Sequence, residues 1–370
     1  MSKLSELLPT GGGQNAVEFV AAENISSGQA VALKTDGKIE AADSANLANV
    51  IGLAAAAITS GATGDINVFG GINEAQSSLT IGSDYYINSS GSLTTSATLP
   101  NIGLGQAISA TTINLRDNSD NYNPVPPGQN AYTTDGTFTW VAPAGVTSVS
   151  ALAVGKGGGM SGNGDGGGGG GLGYLISYAV TPGASYTVVI ENSESYFVST
   201  SVLKGGAGGS NRTAGTFVGD GGGNGGTGGF SSGSSYSAGG AGAGGYSDTG
   251  GNGGGTGGGG AAGSGGGGGG GGGSSQQYKG GGGGGGVGIL GEGTNGTGGA
   301  GVGSGNGNPG TGGSSGTSGG VGSGNNGGNG GLYGGGSGGG GGFSGTRGAG
   351  AVRIIWGANR AYPSTNTGDL

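Results

Sequence analysis

Short runs of alternating apolar and polar residues, each closed by Gly, Asn, Asp or Pro, fill the first third of the chain. Residues 30–34 and 39–41 flank Thr35-Asp36-Gly37-Lys38 and predict a hairpin about an Asp-Gly turn. Residues 65–69, 84–88, 92–94, 106–110 and 112–115 read as further strands. Residues 49–57 fit a strand better than a helix, because Gly52 interrupts them and strands surround them. Strands at this spacing predict a small β barrel or sandwich over residues 1–118. Residues 119–131, with Pro124, Pro126 and Pro127 among polar residues, read as a linker.

Strand pattern returns at residue 132. Residues 137–141 alternate and stop before Pro143; residues 146–154, 174–180, 186–190 and 195–203 follow. Tyr186, Val188 and Ile190 fall on one face of their strand. The pattern then lapses until residues 351–356, a strand apolar enough to need burial, whose natural partners lie before residue 204. The expectation is one β-sandwich, 132–204, completed by 350–360 after a long insertion at 205–349 and followed by a tail at 361–370.

Composition changes the picture at that insertion. Glycine makes up 111 of 370 residues, where average usage is about 7%, and roughly half of residues 205–349 are glycine by direct count. Disorder is one reading, since such a segment has little apolar surface to offset ordering entropy. Ordered alternatives fall away in turn. Collagen needs Gly at every third position and abundant Pro, whereas residues 265–273 and 280–286 are unbroken glycine and Pro309 is the insertion's one proline. An α-helix loses about 1 kcal/mol per Gly relative to Ala, and a glycine sheet has no side chains to pack. What remains is a bundle of extended threefold helices of the polyglycine II type. Its backbone groups bond sideways to neighbours that only Gly allows so close. The expected class is therefore all-β, with a small N-terminal β domain and a β-sandwich carrying this bundle.

In such a bundle bulky clusters belong at turns or on the surface. Phe217, Phe230, Ile289 and Leu290 are expected to plug the bundle onto the sandwich. Tyr236, Tyr246, Tyr278 and Tyr333, with Gln276 and Gln277 beside Tyr278, are expected at exposed tips as a receptor-binding set. Tyr among Ser, Gly and Asn is the composition of binding loops.

Catalytic chemistry is sparse. His and Cys are absent, which removes the commonest general base, thiolate metal sites and disulfides. Asp165, Asp220 and Asp248 do not recur as a calcium repeat would. Gly155-Lys156-Gly157 lacks the rest of a phosphate loop. Glu191 and Glu194 read as a solvated turn rather than a carboxylate pair for glycoside cleavage. No enzyme activity, cofactor or metal is expected. A net charge of −8 with 11 scattered cations argues against nucleic acid. No secretory signal or membrane-length apolar run is read.

Three stretches carry a family resemblance. Residues 137–149 (TFTWVAPAGVTSV), 154–159 (VGKGGG) and 180–189 (VTPGASYTVV) resemble the glycine-rich domain of bacteriophage tail-fibre proteins. Residues 350–357 and 360–367, and at the start KLSELLP with VALKTDG, are similar to virion structural proteins of marine, cyanophage-like phages. The insertion is similar in composition to phage adhesins with layered polyglycine helices. The resemblance implies a virion fibre or adhesin that attaches to a host cell-surface polymer, a polysaccharide or an outer-membrane protein. It also implies a homotrimer whose N-terminal domain meets other virion proteins. A capsid-decorating fibre and a self-assembling extracellular filament subunit are the alternatives. An ice-binding face would want ranked Thr, and the Thr here are scattered.

Overall fold

The computed structural model describes residues 15–116, 122–162, 164–233, 235–341, 343, 345–364 and 367–369. The chain divides into two units, Met1–Pro126 and Pro127–Leu370. The named strands form four sheets whose ladders are antiparallel, and no α-helix occurs among the described residues.

Unit 1 contains two sheets. The first joins β1 (Ala16–Val20), β2 (Ala30–Leu33), β3 (Ile39–Ala41), β4 (Val50–Ala54) and β5 (Thr63–Val68) in the order β1-β5-β4-β2-β3. The second joins β6 (Ile72–Asn73), β7 (Asp84–Ile87), β8 (Leu93–Thr94), β9 (Asn101–Ala107) and β10 (Ile113–Leu115) in the order β6-β10-β9-β7-β8, with β11 (Tyr122–Asn123) also on β9. The Asp-Gly hairpin forms as expected between β2 and β3, with Gly37 at φ 80° in the turn. Residues 50–54 are strand, entered from a 3-10 turn at Leu47–Asn49. Leu47, Leu53, Tyr85, Ile87, Ile102, Leu104 and Leu115 form one apolar core.

Unit 2 begins where the sequence suggests a linker. Residues 128–131 belong to β12 (Gly128–Tyr132), an edge strand laid along β21 (Ala351–Trp356). Its polar side chains match that edge position and give no strand alternation. Strand β21 also pairs with β14 (Ser148–Val154), as its need for burial requires. One sheet runs β12-β21-β14-β15-β20, with β15 at Leu172–Ala179 and β20 at Gly221–Gly223. The other runs β13-β16-β17-β18-β19, from β13 (Gly136–Val141) through β16 (Ser185–Ile190), β17 (Glu194–Phe197) and β18 (Leu203–Gly206) to β19 (Phe217–Val218). Val149, Val188, Ile190, Phe197, Leu203 and Ile354 are buried in this region. Trp140 meets Phe197 edge-on at 5.8 Å and Trp356 at 6.1 Å. Strands β19 and β20 lie inside the expected insertion. Their glycines leave no hydrophobic period to detect.

Beyond residue 223 the chain holds neither α-helix nor β-ladder until β21, apart from isolated bridges. A bundle of regular helices is thus not seen. The segment consists of extended threads, and their backbone bonds follow a rule. Along residues 280–288, the N–H groups of Gly280, Gly283 and Gly286 donate to Gly324, Gly320 and Thr317. Those of Gly281, Gly284 and Val287 donate to Gly339, Gly336 and Tyr333, and those of Gly282 and Gly285 to Gly272 and Gly269. The carbonyls obey the same period: Gly280, Gly283 and Gly286 accept from Gly307, Gly310 and Gly313; Gly281 and Gly284 from Gly328 and Gly331; Gly282 and Gly285 from Gly240 and Ala243. Partner numbers fall along the first three neighbours and rise along the last three. This thread therefore has six neighbours, three antiparallel and three parallel. Threads 237–245 and 267–274 are bonded in the same way and are neighbours of 280–288 and of each other.

Glycine serves these threads by lacking a Cβ. Positive φ is confined to turns, as at Gly257, Gly265, Gly266, Gly305 and Gly324, while the glycines of 267–273 and 280–286 have none. A Cβ on Gly284 would intrude on the Ala241 carbonyl, and one on Gly271 on that of Gly282. The sheets run directly into the threads. Past Val154 and before Leu172, the β14–β15 pairing continues as the bond from Gly155 N–H to the Gly171 carbonyl, 2.9 Å.

Candidate functional site

The hydrogen-bond levels define two ends of the threaded segment within unit 2. At the basal end, Tyr246 and Val287 pack with Leu152, Val154, Leu172, Tyr174 and Ile355 of the first sheet, together with Tyr362. At the opposite, distal end the turns 159–164, 230–236, 255–258, 274–279, 302–306, 322–326 and 341–345 lie level with one another. Ser274 N–H bonds Ser237, Gly280 N–H bonds Gly324, Ala238 N–H bonds Gly164 and Gly327 N–H bonds Phe343.

This geometry splits the expected receptor-binding set. Tyr236, Gln276, Gln277 and Tyr278 lie at the distal end, with Gln276, Gln277 and Tyr278 exposed and Tyr236 half-buried. Tyr246 and Tyr333 lie at the base. Tyr246 is wholly buried: its hydroxyl donates to the Gly288 carbonyl at 2.8 Å and accepts from the Gly291 N–H at 3.1 Å. Burial, and then Tyr362 beside it, push its phenol well above the ordinary range. Tyr333 packs half-buried against the same cluster, and its phenol is raised by burial. The tip expectation is therefore corrected for these two: sheet residues distant in sequence build the pocket they fill. The opposite correction applies to Phe230, expected as a plug. It stands at the distal end with the Arg212 guanidinium 5.2 Å over its ring. Of the other expected plugs, Ile289 packs on the basal cluster, Phe217 forms part of β19 and Leu290 is exposed.

Phe230 (58% exposed), Tyr278 (61%), Val321 (56%) and Phe343 (75%) are the large apolar side chains left open at the distal end. They sit among amides and hydroxyls rather than charges. The turns that hold them are tightly bonded: the Ser274 hydroxyl donates to the Gly305 carbonyl at 2.6 Å, Gly305 N–H to Gln276 Oε1 at 2.7 Å, and Tyr278 N–H to the Ser235 carbonyl at 3.0 Å. Tyr278 holds φ at 59°, a conformation rare for a bulky side chain. It sets the ring at the crest of its turn. Phe230, Val321 and Phe343 were missed as tip residues because isolated apolar residues in glycine read as anchors.

The polar groups weighed for catalysis are structural. Asp165 accepts from Ser231 N–H at 2.6 Å, Asp220 from Ile176 N–H at 2.9 Å and Asp248 from Thr249 N–H at 2.7 Å. The last bond holds the exposed Asp248 carboxyl below its usual range. Glu191 and Glu194 close the β16–β17 turn through a 2.9 Å backbone bond. Lys156 is buried against Asp135 and Asn192, beside a cleft of about 380 Å³ lined by Asp135, Glu191 and Asn192. Among the described residues no group of three His, Cys, Asp or Glu side chains could hold a metal, and no helix is long and apolar enough to cross a membrane. Comparison with protein-family models and with curated protein sequences returns no match for this chain.

Proposed function

We propose that the threads form a polyglycine II-type bundle and that the chain is a virion fibre or adhesin protein whose distal turns meet a polymer of the host cell surface. Three residues per turn and a rise of about 3.1 Å per residue describe this conformation; partners that change with a period of three, and six neighbours per central thread, are what it requires. The observation that carries the functional reading is the gathering of Phe230, Tyr278 and Phe343 on bonded turns at the end remote from the sandwich. Aromatic side chains add contact area at little entropic cost when their turns are already ordered. Trimer formation, and contacts of the N-terminal domain with other virion proteins, belong to the same proposal and rest on the family resemblance.

The test is binding of the labelled full-length chain to a panel of bacterial cells and their purified surface polysaccharides and outer-membrane proteins. Replacing Phe230, Tyr278 and Phe343 together by Ser is expected to abolish binding wherever the parent chain binds, with the thermal transition unchanged. Undiminished binding by that variant overturns the distal assignment. Growth of the chain into filaments with no cell binding overturns the attachment reading and favours the filament alternative.

A further inference from the structure

Seven Asn-Gly dipeptides occur in the chain, at Asn163, Asn224, Asn252, Asn295, Asn306, Asn326 and Asn329, and none precedes residue 163. In a sequence such pairs suggest tight turns. Here three of them do something else, in one shared geometry. Asn252 Oδ1 accepts the Thr227 N–H at 2.8 Å, and Gly253 N–H donates to the carbonyl of that same Thr227 at 2.9 Å. Asn329 and Gly330 hold both groups of Thr346, at 2.8 Å each. Asn306 and Gly307 hold both groups of Gly280, at 3.2 and 2.9 Å. Asn295 and Gly296 make the same pair of bonds to adjacent residues, Gly266 N–H at 2.7 Å and the Gly267 carbonyl at 2.8 Å. Each dipeptide clasps a neighbouring thread. At Asn224 and Asn326 the following glycine N–H is likewise held, by Gly215 at 2.9 Å and Phe343 at 3.0 Å.

We infer that these clasps protect Asn-Gly sites that would otherwise deamidate, so that lifting a thread exposes it to irreversible chemical modification. Deamidation forms a bond from the glycine nitrogen to the Asn side-chain carbonyl carbon and expels ammonia, the glycine N–H proton being lost to solvent. Water then opens the cyclic imide at either carbonyl, giving aspartate or isoaspartate; no oxidant or other reactant is consumed. Both reacting groups must first leave their partners: the nitrogen is held on one carbonyl, and at the four clasps the carboxamide oxygen is held on one amide. Asn252, Asn295 and Asn329 are themselves exposed, so solvent reaches them and the bonds supply the protection. Isoaspartate routes the main chain through an extra methylene and breaks the three-residue period, so a modified thread does not reseat.

The full-length chain is incubated at mildly alkaline pH in native buffer and in denaturant strong enough to remove its structure, and each site is read by peptide mass mapping. Conversion at the six described sites is expected to be slower in the native chain by about tenfold or more, as protection by local closure predicts; equal rates overturn the inference. Thr346→Pro, which removes the donor to Asn329, is expected to raise conversion at Asn329 while Asn252 and Asn306 keep the native rate. A folded variant with no gain at Asn329 overturns it. A variant that fails to fold must show gain at all six sites, and slow conversion there would overturn it equally.

Discussion

Tyr246 and Tyr362 show what single residues contribute. Their rings stack with centroids 6.0 Å apart, and the Tyr362 hydroxyl donates to the Ile289 carbonyl at 2.9 Å while accepting from Arg353 at 3.1 Å. Arg353, 1% exposed, also reaches Gln129 and the Gly368 carbonyl, tying the tail to the sheet. Burial pushes the Tyr362 phenol up to about 12 and the Tyr246 phenol well above 10. In the unfolded chain both titrate near 10. Above that pH the unfolded state has lost protons that the folded state keeps, so stability falls as pH rises. The stabilisation is complete below about pH 10 and declines through about pH 12, by about 1.4 kcal/mol per pH unit for each tyrosine. Denaturant titrations made within minutes of a jump to pH 9, 10, 11 and 12 should show the midpoint falling only above 10. None of this was legible locally. Tyr246 has the same Ser and Gly neighbours as Tyr278, and the difference lies in Tyr174 and Tyr362, which reach it only through the fold.

At the scale of elements, strands were legible wherever side chains alternate and turns are marked, as for the β2–β3 hairpin, β14 and β21. They were not legible in β12, whose edge position tolerates polar residues, nor in β20, which is all glycine. The unbroken glycine runs pointed to close backbone contact. Which runs sit at the centre depended on pairing. This distinction carries a prediction. Gly284→Ala places a methyl against the Ala241 carbonyl in the interior and should cost about 1–3 kcal/mol as overpacking. Gly259→Ala meets only atoms 3.5 Å or more away on an exposed thread and should be neutral or stabilise by about 0.4–1 kcal/mol through the unfolded state. Thermal or denaturant unfolding of the two variants checks both signs.

For unit 2 as a whole, cohesion comes from main-chain bonds worth about 1 kcal/mol each net, so many must act together. The threads continue the strands of the sheet, and Tyr246 and Val287 seat them on it. Amides of 239–244, 268–273 and 281–286 should therefore exchange with deuterium only when unit 2 unfolds globally, at the same rate as those of β14. Faster exchange in the threads alone would show a scaffold that opens separately from its sandwich. The candidate site shows the same division at larger scale. Gln276, Gln277 and Tyr278 were found as one polar and aromatic cluster in glycine. Phe230 and Phe343 joined them only once the turns were brought level.

The six-neighbour arrangement also limits how such a chain can change length. Removing one residue from 280–288 would turn everything after the cut by about a third of a revolution and direct each amide to the wrong neighbour. Removing three would shorten the thread by about 9 Å and leave every assignment intact. Insertions and deletions in the central threads should therefore survive in multiples of three, while the turns between them vary freely.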